Sequence, residues 1–123
     1  PAFSASSSSV SARMMTPDGL REIARYADAI GPGIEAIIPW TADGSLGRPT
    51  GLVHEAHAAG LEVHPYTFRP ENQFLAKDFW QGDDPSTFNQ AGLVAQIEAY
   101  LDAGIDAFFT DDAASGRKAV DAR

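Results

Sequence analysis

No cysteine occurs among the 123 residues, which removes a disulfide framework, a thiolate metal site and a cysteine nucleophile while leaving the compartment open. Basic residues are few: nine Lys and Arg stand against seventeen Asp and Glu, a net charge of -8. A phosphate-backbone binder needs a broad positive face, so nucleic acid is not the expected partner. Long apolar runs are missing too. The longest candidates, residues 34–40 and 105–110, are broken by Glu35 and Asp106, and a membrane span needs about eighteen or more such residues in succession. No Walker-type or dinucleotide-type glycine loop appears, and no Ser-His-Asp arrangement can be assembled.

What is present suits one globular domain, with 44% hydrophobic and 21% charged residues and too little chain for two ordinary domains. The first twelve residues hold six serines (Ser4, Ser6, Ser7, Ser8, Ser9 and Ser11) and little to bury, so 1–12 are expected to form a flexible tail or linker. This stretch has neither the basic start nor the apolar core of a signal peptide. With Pro1 where an initiator Met would stand, the numbering is expected to begin inside a longer protein.

From Thr16 onward, helices and strands alternate. Thr16 is a good N-cap, Pro17 suits the first helical position, and Leu20, Ile23, Ala24, Ala27 and Ile30 recur at helical spacing, so the first helix is expected to reach about Ile30. Gly31-Pro32-Gly33 stops it. Residues 34–39 then read as an isoleucine-rich strand, followed by a turn at Thr41-Ala42-Asp43-Gly44-Ser45. The pattern returns twice. Residues 49–59, with Leu52, Val53 and Ala56 on one face, read as a helix ended by Gly60 and followed by a strand at 61–66. Leu93, Val94, Ile97 and Leu101 mark another helix, ended by Gly104 before a strand at 105–110. The junctions Ala58-Ala59-Gly60-Leu61-Glu62-Val63 and Asp102-Ala103-Gly104-Ile105-Asp106-Ala107 match in design, each a glycine-capped helix feeding a strand through almost no loop. A last helix is expected over 113–122.

Alternation with crossovers of this length implies parallel strands, which need cover on both faces. Three strands are too few to stand alone. A (β/α)8 barrel needs roughly 250 residues, so the expected fold class is α/β: the C-terminal part of a TIM barrel over residues 13–123, with about three parallel strands and alternating helices. A small three-layer α/β domain complete in itself is the competing reading.

In such folds the site gathers at the C-terminal ends of the strands. Those ends carry Trp40 after the first expected strand, His64, Tyr66, Phe68 and Arg69 at the second, and Thr110, Asp111 and Asp112 at the third. His64 shares a strand face with Glu62 and Tyr66, directed to a barrel interior, and suits either a structural hydrogen bond or a substrate contact. Arg69 suits either a phosphate, through its guanidinium fork, or a loop carboxylate. Asp111 and Asp112 are adjacent and must diverge, so one can address the site while the other caps the last helix. His54 and His57 lack the i, i+4 geometry of a zinc helix and read as a solvated helix face. The connection from Phe68 to Asn89 is longer than a plain loop requires and reads as a lid, or as a surface loop whose aromatics pack on another part of the protein.

Four segments in order, Met15-Thr16-Pro17-Asp18-Gly19-Leu20, Ile23-Ala24-Arg25-Tyr26-Ala27-Asp28-Ala29-Ile30-Gly31-Pro32, Val63-His64-Pro65-Tyr66-Thr67-Phe68-Arg69 and Phe108-Phe109-Thr110-Asp111, resemble the C-terminal part of glycerophosphodiester phosphodiesterases. The likeness is to the longer, exported kind, which implies a periplasmic or secreted setting, a TIM barrel, and hydrolysis of a small glycerophosphodiester to an alcohol and glycerol 3-phosphate. It further implies a divalent cation, calcium or magnesium, held mainly by residues outside this chain. The family's catalytic histidines and metal carboxylates come from early strands, so no catalytic residue is expected here and the chain alone is expected to be inactive. Tyr66 matches the family's aromatic beside the substrate, and Asp111 the aspartate of its final Thr-Asp segment. Ala113 departs from a common proline and Trp40 from a common charged residue. The implied partner is the N-terminal half of the barrel; in the competing reading, a non-catalytic half barrel covers its bare strands by self-association.

Overall fold

Thr16 accepts the Gly19 N–H through its hydroxyl at 3.2 Å, and Pro17 opens helix α1 (Pro17–Ile23), which buries Leu20 and Ile23. The structure is a computed structural model in which residues 16–123 are described; the tail expected over 1–12 lies outside the described residues. α1 ends at Ile23 rather than near Ile30. The Tyr26 and Ala27 N–H groups fold back on the Ile23 carbonyl, and the chain then extends into β1 (Ala29–Ile30). Helical spacing misled here because Ala27 closes a last turn, while Ile30 is buried by strand alternation. The strand expected over 34–39 is also absent. Ile34–Ala36 form a 3-10 turn, and Ile37 and Ile38 behind it enter the core; periodicity cannot separate a short buried apolar turn from a strand.

The later elements fall where they were expected: α2 (Leu52–Ala58), β2 (Glu62–Val63), α3 (Gln90–Asp102) and α4 (Ala113–Asp121). Gly60 and Gly104 stop α2 and α3 at φ 84° and 102°, a region costly for any side chain.

β1 and β2 are parallel, with Ala29 opposite Glu62 and Ile30 opposite Val63. Pairing continues to Gly33 and Tyr66. Glu62, His64 and Tyr66 donate to the carbonyls of Asp28, Ile30 and Pro32, and Ile34 donates back to Tyr66. In this register the donor to the His64 carbonyl would be position 32, and proline has none, so the regular strand stops at Ile30. On the other side of β2, Ala107 donates to Val63, Phe109 to Pro65 and Phe68 to Phe109, ending at a parallel Phe68–Thr110 bridge. The third strand expected at 105–110 is therefore present as a parallel partner of β2, though not as a long regular strand, and the lateral order follows the chain.

One face of these strands is covered. Leu20, Ile23, Ile30, Val53, Ala56, Val63, Leu93, Ile97 and Ile105 form a single core, each large aliphatic contributing roughly 1.5–3 kcal/mol on burial. Phe68 meets Tyr100 and Phe108 edge to face at 5.1 and 5.7 Å. The Tyr100 hydroxyl donates to the Ile38 carbonyl at 3.1 Å, and burial holds its pKa above the ordinary tyrosine range, so it remains a neutral donor. Along 62–64 and 107–109 the alternate residues turn the other way: Glu62, Ala107 and Phe109 are exposed and His64 is partly so.

The connection between β2 and α3 is pinned rather than hinged. Asn72, fully buried, donates to the carbonyls of Gln81 and Asp84 and accepts from the Asn89 amide at 2.9 Å. Asn89 also donates to the Phe79 carbonyl and caps α3 by accepting the Gly92 N–H. Gln96 of α3 accepts the Ala76 N–H at 2.8 Å. Phe79 and Trp80, partly buried, pack on this chain's own core. A buried polar network this well satisfied clamps the segment at its root.

Gly92 sits where a Cβ would lie 2.4 Å from Asn89 Nδ2 and 2.5 Å from the Phe79 carbonyl oxygen. Gly92→Ala, despite its better helix propensity, is expected to destabilise the fold by about 1–3 kcal/mol, the usual penalty of overpacking, as read by urea unfolding; an unchanged midpoint would mean that the network does not constrain this helix start.

Candidate functional site

The C-terminal ends of the three paired strands lie side by side, because the bridges Gly33–Tyr66 and Phe68–Thr110 join them there. Arg69 follows β2's extension and Asp111 follows Thr110, and the two meet: Arg69 Nε donates to Asp111 Oδ2 at 2.9 Å, with both side chains about half exposed. The Arg69 guanidinium also lies 4.5 Å above the Phe74 ring. The loop carboxylate weighed for Arg69 from sequence is therefore in place. Asp112 turns away. It occupies the N-cap of α4 and accepts the Ser115 hydroxyl at 2.5 Å. Thr110 braces the strand end by donating to the Phe68 carbonyl at 2.8 Å and accepting the Asp112 N–H.

The other candidates are distributed unevenly. Tyr66 is partly buried and held in the ladder between Pro32 and Ile34. His64 lies below it on the open face, its Nε2 2.8 Å from Glu62 Oε1, so the structural hydrogen bond weighed for it is present. Phe68, expected in the pocket wall, is instead wholly buried between Tyr100 and Phe108 and offers no surface to a ligand. The strand alternation that turns Thr67 outward turns Phe68 inward. Trp40 is partly buried. Its backbone bridges to Leu46, and its buried indole N–H faces the Tyr100 hydroxyl without a well-formed hydrogen bond.

Sequence reasoning overlooked a pairing at the opposite pole. His57 Nε2 lies 2.7 Å from Asp106 Oδ2, and the same oxygen accepts the Val63 N–H at 2.8 Å while the Asp106 N–H donates to the Val63 carbonyl. Asp106 thus starts the pairing of the third strand with a side chain in place of a backbone carbonyl, and His57 on α2 fixes its carboxylate. The only signal in the sequence was an acid placed second in an otherwise apolar strand. No three His, Asp or Glu side chains among the described residues come together to hold a metal ion, so these residues by themselves do not fit the donor set of a divalent cation. No helix among them is long and apolar enough to cross a membrane.

The geometry thus gives a parallel α/β arrangement with a paired arginine and carboxylate at adjacent strand ends, and the chain's relatives place it in a family. The chain belongs to the glycerophosphoryl diester phosphodiesterase family, which it matches over residues 4–115, the family to which the four segments pointed. One curated relative, the glycerophosphodiester phosphodiesterase GDPD6 of Arabidopsis thaliana, is 40% identical over 87 residues, covering 70% of this chain and 20% of the relative. The chain thus spans a small part of the protein it matches.

Removing the Asp106 carboxylate leaves the Val63 N–H without its acceptor. Asp106→Ala is expected to cost about 1–3 kcal/mol in urea unfolding, against a smaller loss for His57→Ala; equal effects would mean that the Val63 N–H contact adds nothing beyond the His57–Asp106 pair. Acid acts on the wall loop. Hydrogen bonds from the Ser86 backbone and then its hydroxyl lower the Asp84 pKa. A folded pKa below the unfolded one gives stability that is complete above about pH 4 and lost as pH falls through the folded value. Asp84→Asn should therefore flatten the stability profile only on that acid limb.

Proposed function

We propose that residues 13–123 form the C-terminal part of the TIM barrel of a glycerophosphodiester phosphodiesterase, supplying one wall of its substrate pocket. The reaction is hydrolysis of a glycerophosphodiester to an alcohol and glycerol 3-phosphate. The observation that carries this reading is the placement of Tyr66, Arg69 and Asp111 at neighbouring ends of strands that are parallel and adjacent in chain order, the arrangement a barrel segment has. Arg69 brings a fixed positive fork to a substrate whose phosphodiester is anionic throughout the reaction. Tyr66 lines the pocket beside it, with His64 deeper on the open face. Phe68 supports this wall from behind.

The proton donor for the leaving group and the divalent cation, calcium or magnesium, belong in this reading to the preceding part of the barrel, which is also the partner that covers the open sheet face. The residues of this chain contribute orientation and charge, so the chain alone is inactive. A second reading, a non-catalytic half barrel that covers the same face with another copy of itself, draws support from Phe109, 58% exposed on that face.

The test measures glycerol 3-phosphate released from a glycerophosphodiester with calcium or magnesium present. This chain alone should release none, and the chain joined to the preceding barrel segment should release it. In that joined protein Arg69→Ala should lower kcat/KM by about ten- to a hundredfold, the worth of a charged hydrogen-bonded contact. Turnover by the chain alone, or a well-folded joined protein inert toward glycerophosphodiesters, would falsify the reading. Light scattering of the isolated chain separates the second reading, which requires a discrete oligomer.

A further inference from the structure

Arg69 is held on two sides and open on a third. Its Nε–H is taken by Asp111 at 2.9 Å, and its plane lies over the Phe74 ring at 4.5 Å. The two terminal nitrogens make no hydrogen bond among the described residues. A guanidinium has two hydrogen-bonding edges that fit an oxyanion, one through Nε and one through the paired Nη groups. Asp111 occupies the first, which leaves the second as a fork for phosphoryl oxygens.

The ring beneath it is unusually well anchored for a loop residue. Phe74 ends the 3-10 turn Asn72–Phe74, and that turn hangs on the buried Asn72, which is tied through Asn89 to the start of α3. The next two residues, Leu75 and Ala76, are buried, and the Ala76 N–H is held by Gln96. Side-chain rotation of an exposed arginine would otherwise cost affinity when a ligand froze it, since its long stem loses rotamer freedom on binding. A ring fixed to α3 removes part of that loss before the ligand arrives.

We propose that Phe74 is a positioning residue that holds the Nη edge of Arg69 ready for the phosphodiester group, a role that rests on the phosphodiesterase reading above. Phe74 does not touch the reacting atoms. It acts through Arg69, and this gives the role a signature that simple loop packing lacks.

The experiment is a double-mutant cycle in the protein that carries this chain with the rest of its barrel, reading KM and kcat for a glycerophosphodiester and the inhibition constant of inorganic phosphate. Phe74→Leu, which keeps apolar bulk but loses the ring face, should raise KM and the inhibition constant about two- to fivefold, the range of an exposed cation–π contact, with kcat little changed. Phe74→Tyr should restore both. In the Arg69→Ala background, Phe74→Leu should add nothing. KM and the inhibition constant do not depend on how much of a variant folds, so reduced stability would not blur the result. A full additional effect of Phe74→Leu in the Arg69→Ala background would overturn the proposal, as would an unchanged KM in the single variant. If the unaltered protein hydrolyses no glycerophosphodiester, the phosphodiesterase reading fails; if it is active and the cycle is additive, this inference alone fails.

Discussion

The backbone of residues 62–68 is hydrogen-bonded on both sides, to 28–34 on one and to 106–111 on the other, and the whole arrangement depends on that double pairing. It is not a generous ladder. Proline at positions 32 and 65 removes a donor from each side. Side chains make up the difference at the two poles, with Asp106 receiving the Val63 N–H at one and Thr110 donating to the Phe68 carbonyl at the other. Register is set between those two stitches, and register decides which residues face the helices and which face away.

From this follows a division of labour along β2 and its extension. Val63 and Phe68 point into the helical core, where Phe68 locks against Tyr100 and Phe108. Glu62 and His64 point to the open face, and Arg69 emerges where the strands end. A charged group at that point is neither buried nor free. Asp111 comes from the neighbouring strand, so the ion pair forms only when the strands are paired in this register. Half-exposed ion pairs add little to stability, and the pair's effect is to orient Arg69.

How far the sequence disclosed this depends on what each signal measures. Glycine stops at Gly60 and Gly104 and the cap at Thr16 act through local backbone geometry, so the helices they bound were legible, apart from the true end of α1. The isoleucines at 34, 37 and 38 were misread because burial was real but its geometry was a 3-10 turn, and Ile30 was misread because a turn and a short strand happened to keep helical phase. Strand-end position alone found Arg69 and Asp111 but could not show that they meet. Asn72, Asn89 and Gln96 gave no warning at all, since polar residues in a connection or on a helix ordinarily face water, and only the assembled network shows them inside.

That network has an evolutionary corollary. The segment between Asn72 and Asn89 is clamped at its root, while its tip opens to solvent around Gly82, at φ 70°, where an added Cβ would meet nothing within 4 Å. Insertions at the tip would lengthen this connection without disturbing the paired strands beneath it. Descendants of this scaffold could thus vary one promontory beside the strand ends, with the arginine there left in place.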